Sequence, residues 1–155
     1  MTSPQKILIT GGCGLVGYAA YTHLSRQPER YAVYGLDRRR DLSPRTPGAW
    51  RNEIPADRFF LCDLTDFDGI RHAVAGMDVV VHLAADPRGK NWESLRDNNL
   101  VGAYHVFQAC AEAGVQRIVA DRMLHRRRRI AALRHFLRPF QQRHAFWTQT
   151  DSNDG

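Results

Sequence analysis

Along the first 120 positions, short runs of β-branched and aliphatic residues alternate with longer stretches whose apolar positions recur at helical spacing. Lys6 to Thr10 (KILIT) is the first such run; it ends at Gly11-Gly12 and is followed by a helical pattern from Leu15 to Ser25. Tyr31 to Leu36 predicts a second strand, ending on Asp37. Arg38 to Asp57 contains Pro44, Pro47, Gly48 and Pro55 and predicts a long polar loop. Arg58 to Cys62 predicts a third strand, and Thr65 or Asp66 caps a helix that runs to about Ala75. Asp78 to Leu83 (DVVVHL), the most apolar run, predicts a fourth strand; Trp92 to Ala113 predicts a long helix closed by Gly114; Gln116 to Ala120 (QRIVA) predicts a fifth strand. Strands separated by helices pair in parallel, because an antiparallel neighbour needs only a hairpin. The expected fold is therefore α/β, a doubly wound parallel sheet of the Rossmann type, cut short after about five strands and continued by an Arg-rich C-terminal tail.

The turn after the first strand reads Thr10-Gly11-Gly12-Cys13-Gly14-Leu15-Val16-Gly17, with Gly11, Gly14 and Gly17 at intervals of three. In this setting the first glycine permits a tight exit from the strand, the second lets backbone approach a pyrophosphate, and the third lets the helix pack closely. The N–H groups at the helix start, around Leu15 and Val16, would face phosphates with the positive end of the helix dipole. Asp37 closes the second strand, 20 residues beyond Gly17. A carboxylate there accepts hydrogen bonds from both hydroxyls of an adenosine ribose and repels a 2′-phosphate, which favours NAD over NADP. Arg38 to Arg40 act the other way, since a guanidinium beside the ribose accommodates that phosphate. A plain loop cap is the alternative role for Asp37.

Four motifs in order, Thr-Gly-Gly-x-Gly-x-x-Gly, Cys62-Asp63-Leu64, His82-Leu83-Ala84-Ala85 and Asn99-Leu-Val-Gly102, resemble the extended short-chain dehydrogenases/reductases, specifically the NAD-dependent epimerase/dehydratase group. The stretch from His82 to Val119 is most similar to its uronate-dehydrogenase-like members, and the resemblance covers about Lys6 to Val119. It implies that Asp63 meets the adenine amino group and Leu64 its ring face. It further implies that Leu83, Ala84 and Ala85 line the nucleotide and that Asn99 supports the active-site region from the long helix. Each also has a plainer role: Asp63 as a relay to a helix cap, Ala84 and Ala85 as packing, Asn99 as a solvated helix residue. The implied reaction class is hydride transfer between NAD and a sugar or sugar-acid carbon. A sugar substrate is expected only for a full-length relative, because the family's Ser or Thr after strand five and its Tyr-x-x-x-Lys pair have no counterpart here. Gln116 to Val119 runs into Ala120-Asp121-Arg122-Met123-Leu124, the only lysines are Lys6 and Lys90, and no tyrosine has a lysine four residues on. The chemistry needs a tyrosine hydroxyl to move a proton and a lysine to lower its pKa. No catalytic residue is therefore assigned; His125, His135 and His144 lie among arginines with nothing to place them.

Composition adds a boundary. The 155 residues carry a formal charge of +6 and are 43% hydrophobic. Met1 to Asp121 holds 14 basic and 14 acidic residues, whereas Arg122 to Gly155 holds 8 arginines, no lysine and 2 aspartates, so the whole excess lies at the C-terminal end. The division falls near residue 120: an NAD-binding domain over 1–120 and an atypical basic segment over 121–155. Ile130, Leu133, Leu137 and Phe140 fall at helical spacing there, with Pro139 interrupting. Two accounts stand: a reading-frame slip in a GC-rich gene, which is favoured, or a basic amphipathic helix serving a non-catalytic NAD-sensing or partner-binding module. Nucleic acid is disfavoured as a partner, since no nucleic-acid-binding fold accompanies the arginines. No apolar run approaches the roughly 18 to 20 residues that cross a bilayer. Cys13, Cys62 and Cys110 have no paired spacing, which suggests neither disulfides nor a metal site and fits a reducing, cytoplasmic setting. A half-sheet leaves the 92–113 helix and the edge of strand five without cover, so self-association through that helix is expected. Translating the gene in its other two frames past codon 119 checks the frame slip: a Ser followed by Tyr-x-x-x-Lys is expected, and its absence contradicts the slip.

Overall fold

The computed structural model describes residues 3–48, 53–86, 89 and 91–120. The Arg-rich segment 121–155, with its three histidines and both accounts of its origin, lies outside the described residues. Five strands, β1 (Gln5–Thr10), β2 (Tyr31–Asp37), β3 (Phe59–Leu61), β4 (Val79–His82) and β5 (Arg117–Ala120), form one sheet in the order β3-β2-β1-β4-β5 with every pairing parallel. The helices are α1 (Leu15–Leu24), α2 (Phe67–Val74), a short α3 (Trp92–Leu95) and α4 (Gly102–Glu112). Among the described residues no helix is long and apolar enough to cross a membrane.

The central strands β1, β2 and β4 are buried on both faces, with the period of two sorting their side chains between them, whereas the edge strands β3 and β5 leave Leu61 and Val119 exposed. Leu8, Leu36 and Val80 point to one face, where they pack with Ile70, Ala73 and Val74 of α2 and Val106, Ala109 and Cys110 of α4. Ile7, Ile9, Val33 and Val79 point to the other, against Tyr18 and Tyr21 of α1 and Ile54 from the loop before β3. Register agrees: Ile7 lies beside Val33 and Val79, while Leu8 lies beside Tyr34 and Val80. Burying a branched side chain of this kind contributes about 1.5 to 3 kcal/mol. At the lower rim, Asp78 accepts the Lys6 N–H at 2.8 Å through its carboxylate, and its backbone exchanges bonds with Lys6 and Gln116, which aligns the starts of β1, β4 and β5.

Of the two expected caps for α2, Asp66 is the one that serves, accepting the Gly69 N–H at 3.0 Å. Two details depart from the pattern expected of the sequence. The 38–57 loop is polar but not solvated throughout: Ser43 and Thr46 are buried, the Ser43 N–H donates to the Cys13 carbonyl at 2.9 Å, and Arg40 donates to the Ile54 carbonyl at 2.7 Å. The 92–113 helix is not uniform, because Arg96–Val101 forms a π-helical turn between α3 and α4. Such turns insert an extra residue and swing side chains off the α-helical stripe, which apolar spacing alone does not reveal.

Candidate functional site

With β3-β2-β1 on one side and β4-β5 on the other, the order in which strands are added reverses between the parallel β1 and β4, and a crevice opens beyond their carboxyl ends. The glycine turn forms its floor. Gly11 takes φ +72°, a left-handed conformation that glycine alone adopts without strain, and a Cβ there would lie 2.8 Å from Ala84 Cα. A Cβ on Gly17 would collide with the Gly11 carbonyl oxygen. The third glycine thus lets the helix close onto the turn rather than onto the strand. Gly14 stands at the N-cap of α1, where no side chain caps the helix and no acidic residue occupies the first turn. The free N–H groups that every helix start exposes are left for an anion.

Above that floor, the turn is tied to the end of β2. The Gly12 N–H donates to the Leu36 carbonyl at 3.1 Å, and the Cys13 N–H donates to Asp37 Oδ2 at 3.1 Å. Burial raises the Asp37 carboxyl above its ordinary value, and the backbone N–H groups of Cys13, Arg39 and Arg38 act against that rise. Arg38 and Arg39 line the cleft beside it, whereas Arg40 is turned away, its guanidinium 4.8 Å from the Phe59 ring centre and bonded to Ile54. Burial, with the neighbouring Asp37, pushes the Cys13 thiol up to about 11, and burial pushes Cys62 up to about 11 and Cys110 to about 12. All three remain thiols at neutral pH and are poor nucleophiles.

The walls come from β3 and β4. Asp63 Oδ1 accepts both the N–H and the hydroxyl of Thr65, at 2.9 and 2.8 Å, which fixes the turn that carries Asp63 and Leu64 into the cleft. On the opposite side Leu83, Ala84 and Ala85 line it, continued by Asp86 and Asn98. Thr10 and His82 bind the two strand ends together: Thr10 Oγ1 lies 2.7 Å from His82 Nδ1 and accepts the Ala84 N–H at 3.3 Å. His82 is buried against Phe107, and burial holds its pKa down to about 4, so the ring is neutral at pH 7.

The structure therefore brings Gly11, Gly14, Asp37, Asp63, Leu64, Leu83, Ala84 and Ala85 to one cleft. Leu15, Val16 and Gly17 form the first turn of the helix that points at it, with the Val16 side chain exposed. Asn99 is not on the wall. Its Oδ1 accepts the Asp86 N–H at 2.7 Å and its Nδ2 donates to the Asp86 carbonyl at 3.0 Å, so it pins the chain after β4 from the π-helical turn. The neighbouring Asn98 lines the cleft instead, bonded through Nδ2 to the Ser94 carbonyl at 2.9 Å. The sequence does not mark Asp86 or Asn98 as site residues: Asp86 simply continues the run from Leu83 to Ala85, and Asn98 reaches the cleft from the π-helical turn. Among the described residues, no cluster of His, Cys, Asp and Glu is placed to hold a metal ion.

The family model of the NAD dependent epimerase/dehydratase family matches residues 7–120. Over 114 residues the chain is 32% identical to the NAD-dependent glucose-6-phosphate dehydrogenase of Haloferax volcanii, covering 73% of this chain and 41% of that protein. It is 29% identical to the uronate dehydrogenase of Pseudomonas putida over 119 residues, 76% of this chain and 41% of that one. A crystal structure of a uronate dehydrogenase mutant from Agrobacterium tumefaciens complexed with NAD superposes with a TM-score of 0.58 at 29% identity, over 75% of this chain and 40% of that one. The chain thus spans about two fifths of the length of these relatives.

The neutral His82 gives the strand junction a pH dependence. Unfolding frees the ring to titrate at 6.5, while the folded ring stays neutral down to about 4, so protons favour the unfolded chain between those values. Stability is whole above pH 6.5 and declines as pH falls toward 4, by about 2 kcal/mol between pH 7 and 5 from this group. Urea unfolding at both pH values is expected to show that loss in the native chain and its absence in His82→Asn; equal losses in both would contradict it.

Proposed function

The chain belongs to the NAD dependent epimerase/dehydratase family, and from that membership we propose that it is the NAD-binding part of an oxidoreductase acting on a sugar or sugar acid. The convergence of Gly11, Gly14, Asp37, Asp63, Leu64 and Leu83 to Ala85 on one cleft, where the strand order reverses, carries this proposal. The residues fit a dinucleotide. Gly11 and Gly14 leave backbone room for a pyrophosphate, and the N–H groups of Leu15 and Val16 at the uncapped start of α1 supply donors for it. Asp37 is a half-buried acceptor that ribose hydroxyls would satisfy, Asp63 and Leu64 would meet the adenine, and Leu83, Ala84 and Ala85 would flank the remainder. Bound NAD would supply the nicotinamide that accepts or gives the hydride.

NAD is preferred over NADP because the Asp37 carboxylate stands where a 2′-phosphate would bring like charge. Arg38 and Arg39, which line the same end, reduce that preference without reversing it, and Arg40, already engaged, adds nothing. Glucose 6-phosphate and uronates, named for the relatives, define the substrate class to be tried. By itself this chain is proposed to bind and not to turn over, because its 155 residues contain no Tyr-x-x-x-Lys pair. Three free, buried cysteines fit a reducing compartment, and a cytoplasmic location is proposed on that basis. Trp92, Leu100 and Tyr104 are exposed on the helical stretch, and we propose self-association through it; sedimentation equilibrium should read more than a monomer, and a monomer at all concentrations would remove that proposal.

Thermal unfolding with and without NAD tests the main proposal. NAD at about 100 times its dissociation constant should add about 2.7 kcal/mol to the folded chain. Asp37→Ala should weaken NAD by about 10- to 150-fold, the loss of charge-assisted hydrogen bonds worth about 1.5 to 3 kcal/mol, while weakening NADP less. A cooperative transition that NAD leaves unmoved would overturn the proposal.

A further inference from the structure

Leu64 is the residue at which the cleft and α4 meet. Its side chain lines the cleft and also packs in the core with Val106 and Ala109. Two features of α4 hold it. A Cβ on Gly102 would lie 2.6 Å from Leu64 Cβ and 3.0 Å from its Cδ1, so the helix comes as near as it does only because residue 102 has no side chain. Three residues on, His105 Nδ1 lies 2.8 Å from the Leu64 carbonyl oxygen. A carbonyl only accepts, so Nδ1 carries the proton and donates. The imidazole is itself packed, with its centre 5.1 Å from the Phe67 ring at the start of α2. The turn bearing Leu64 is tied at its near end as well, where the Cys62 N–H donates to the Asp37 carbonyl at 3.0 Å.

We infer that Gly102 and His105 are positioning residues for the nucleotide: without touching it, they set from α4 the depth and orientation at which Leu64 meets the adenine ring. Gly102 fixes how near the helix stands and His105 fixes the peptide that carries the side chain. This rests on the reading of the cleft as a dinucleotide site in which Leu64 faces adenine. His105 itself does not line the cleft, so its influence on the nucleotide would pass through the Leu64 peptide.

The test uses the full chain and NAD itself. Affinity is read by calorimetry, and adenine contact by saturation-transfer NMR, as the signal at adenine H2 and H8 relative to the nicotinamide protons. In Gly102→Ala the new methyl pushes Leu64 into the cleft, and NAD should bind about tenfold more weakly; His105→Leu, which removes one hydrogen bond, should weaken it about fivefold. Both should lower the adenine-to-nicotinamide ratio. His105→Asn, whose amide nitrogen can take the place of Nδ1, should restore affinity to within about twofold and restore the ratio. NAD binding by the native chain with unchanged affinity and ratio in His105→Leu overturns this inference alone. So does equal loss in His105→Leu and His105→Asn, or loss of affinity with the ratio intact, since either marks general damage. Failure of the native chain to bind NAD overturns the nucleotide reading and this inference with it.

Discussion

The carbonyl oxygen of Gly11 occupies the place where a side chain on residue 17 would begin. That contact is possible only because residue 17 is glycine, and it folds the first turn of α1 down onto the turn that follows β1. Everything at the mouth of the cleft takes its position from it. Once the turn is closed, Gly12 and Cys13 reach the end of β2 and bond to Leu36 and Asp37, and Gly11 lies against the backbone of Ala84 at the end of β4. Three strand ends are thereby drawn to within hydrogen-bonding or van der Waals reach of one turn. The start of α1 is left uncapped because its cap residue has no side chain to give.

The polar groups around the turn are arranged so that burial does not strand them. Asp37, raised by desolvation, receives backbone N–H groups, and Thr10 and His82 satisfy one another across the junction of β1 and β4. A buried, unpaired polar group costs about 1 to 3 kcal/mol, so each pairing removes a penalty that would otherwise work against the cleft. Asn99 does the same for Asp86 by presenting an amide that pairs with both its N–H and its carbonyl.

Much of this was legible in the sequence, for physical reasons that differ by element. KILIT, YAVYGL and DVVVHL read as strands because a parallel sheet buries both faces and leaves no polar alternation to confuse the period. The glycines at 11 and 17 were legible because φ +72° at Gly11 and the closeness at Gly17 favour a single residue type. What could not be read depends on contacts far apart in the chain. Arg40 looks like its neighbours Arg38 and Arg39, and only Ile54 and Phe59 draw it away from the cleft. Asn98 and Asn99 are adjacent and chemically identical, so the π-helical turn alone decides which lines the cleft and which pins Asp86. Nor does composition disclose that His105 holds the Leu64 peptide, since that bond spans 41 positions.

Sequence and fold together place this chain in the NAD dependent epimerase/dehydratase family, and the relatives it matches are more than twice as long. The central claim is that the glycine turn and the start of α1 hold the pyrophosphate of NAD. Amide hydrogen exchange with and without NAD, resolved by residue, tests it most directly. Slowed exchange centred on the N–H groups of Leu15 and Val16, with smaller protection at Ala84 and Ala85, is the predicted result. Exchange at those amides unchanged by NAD, while the ligand stabilises the chain elsewhere, would contradict it.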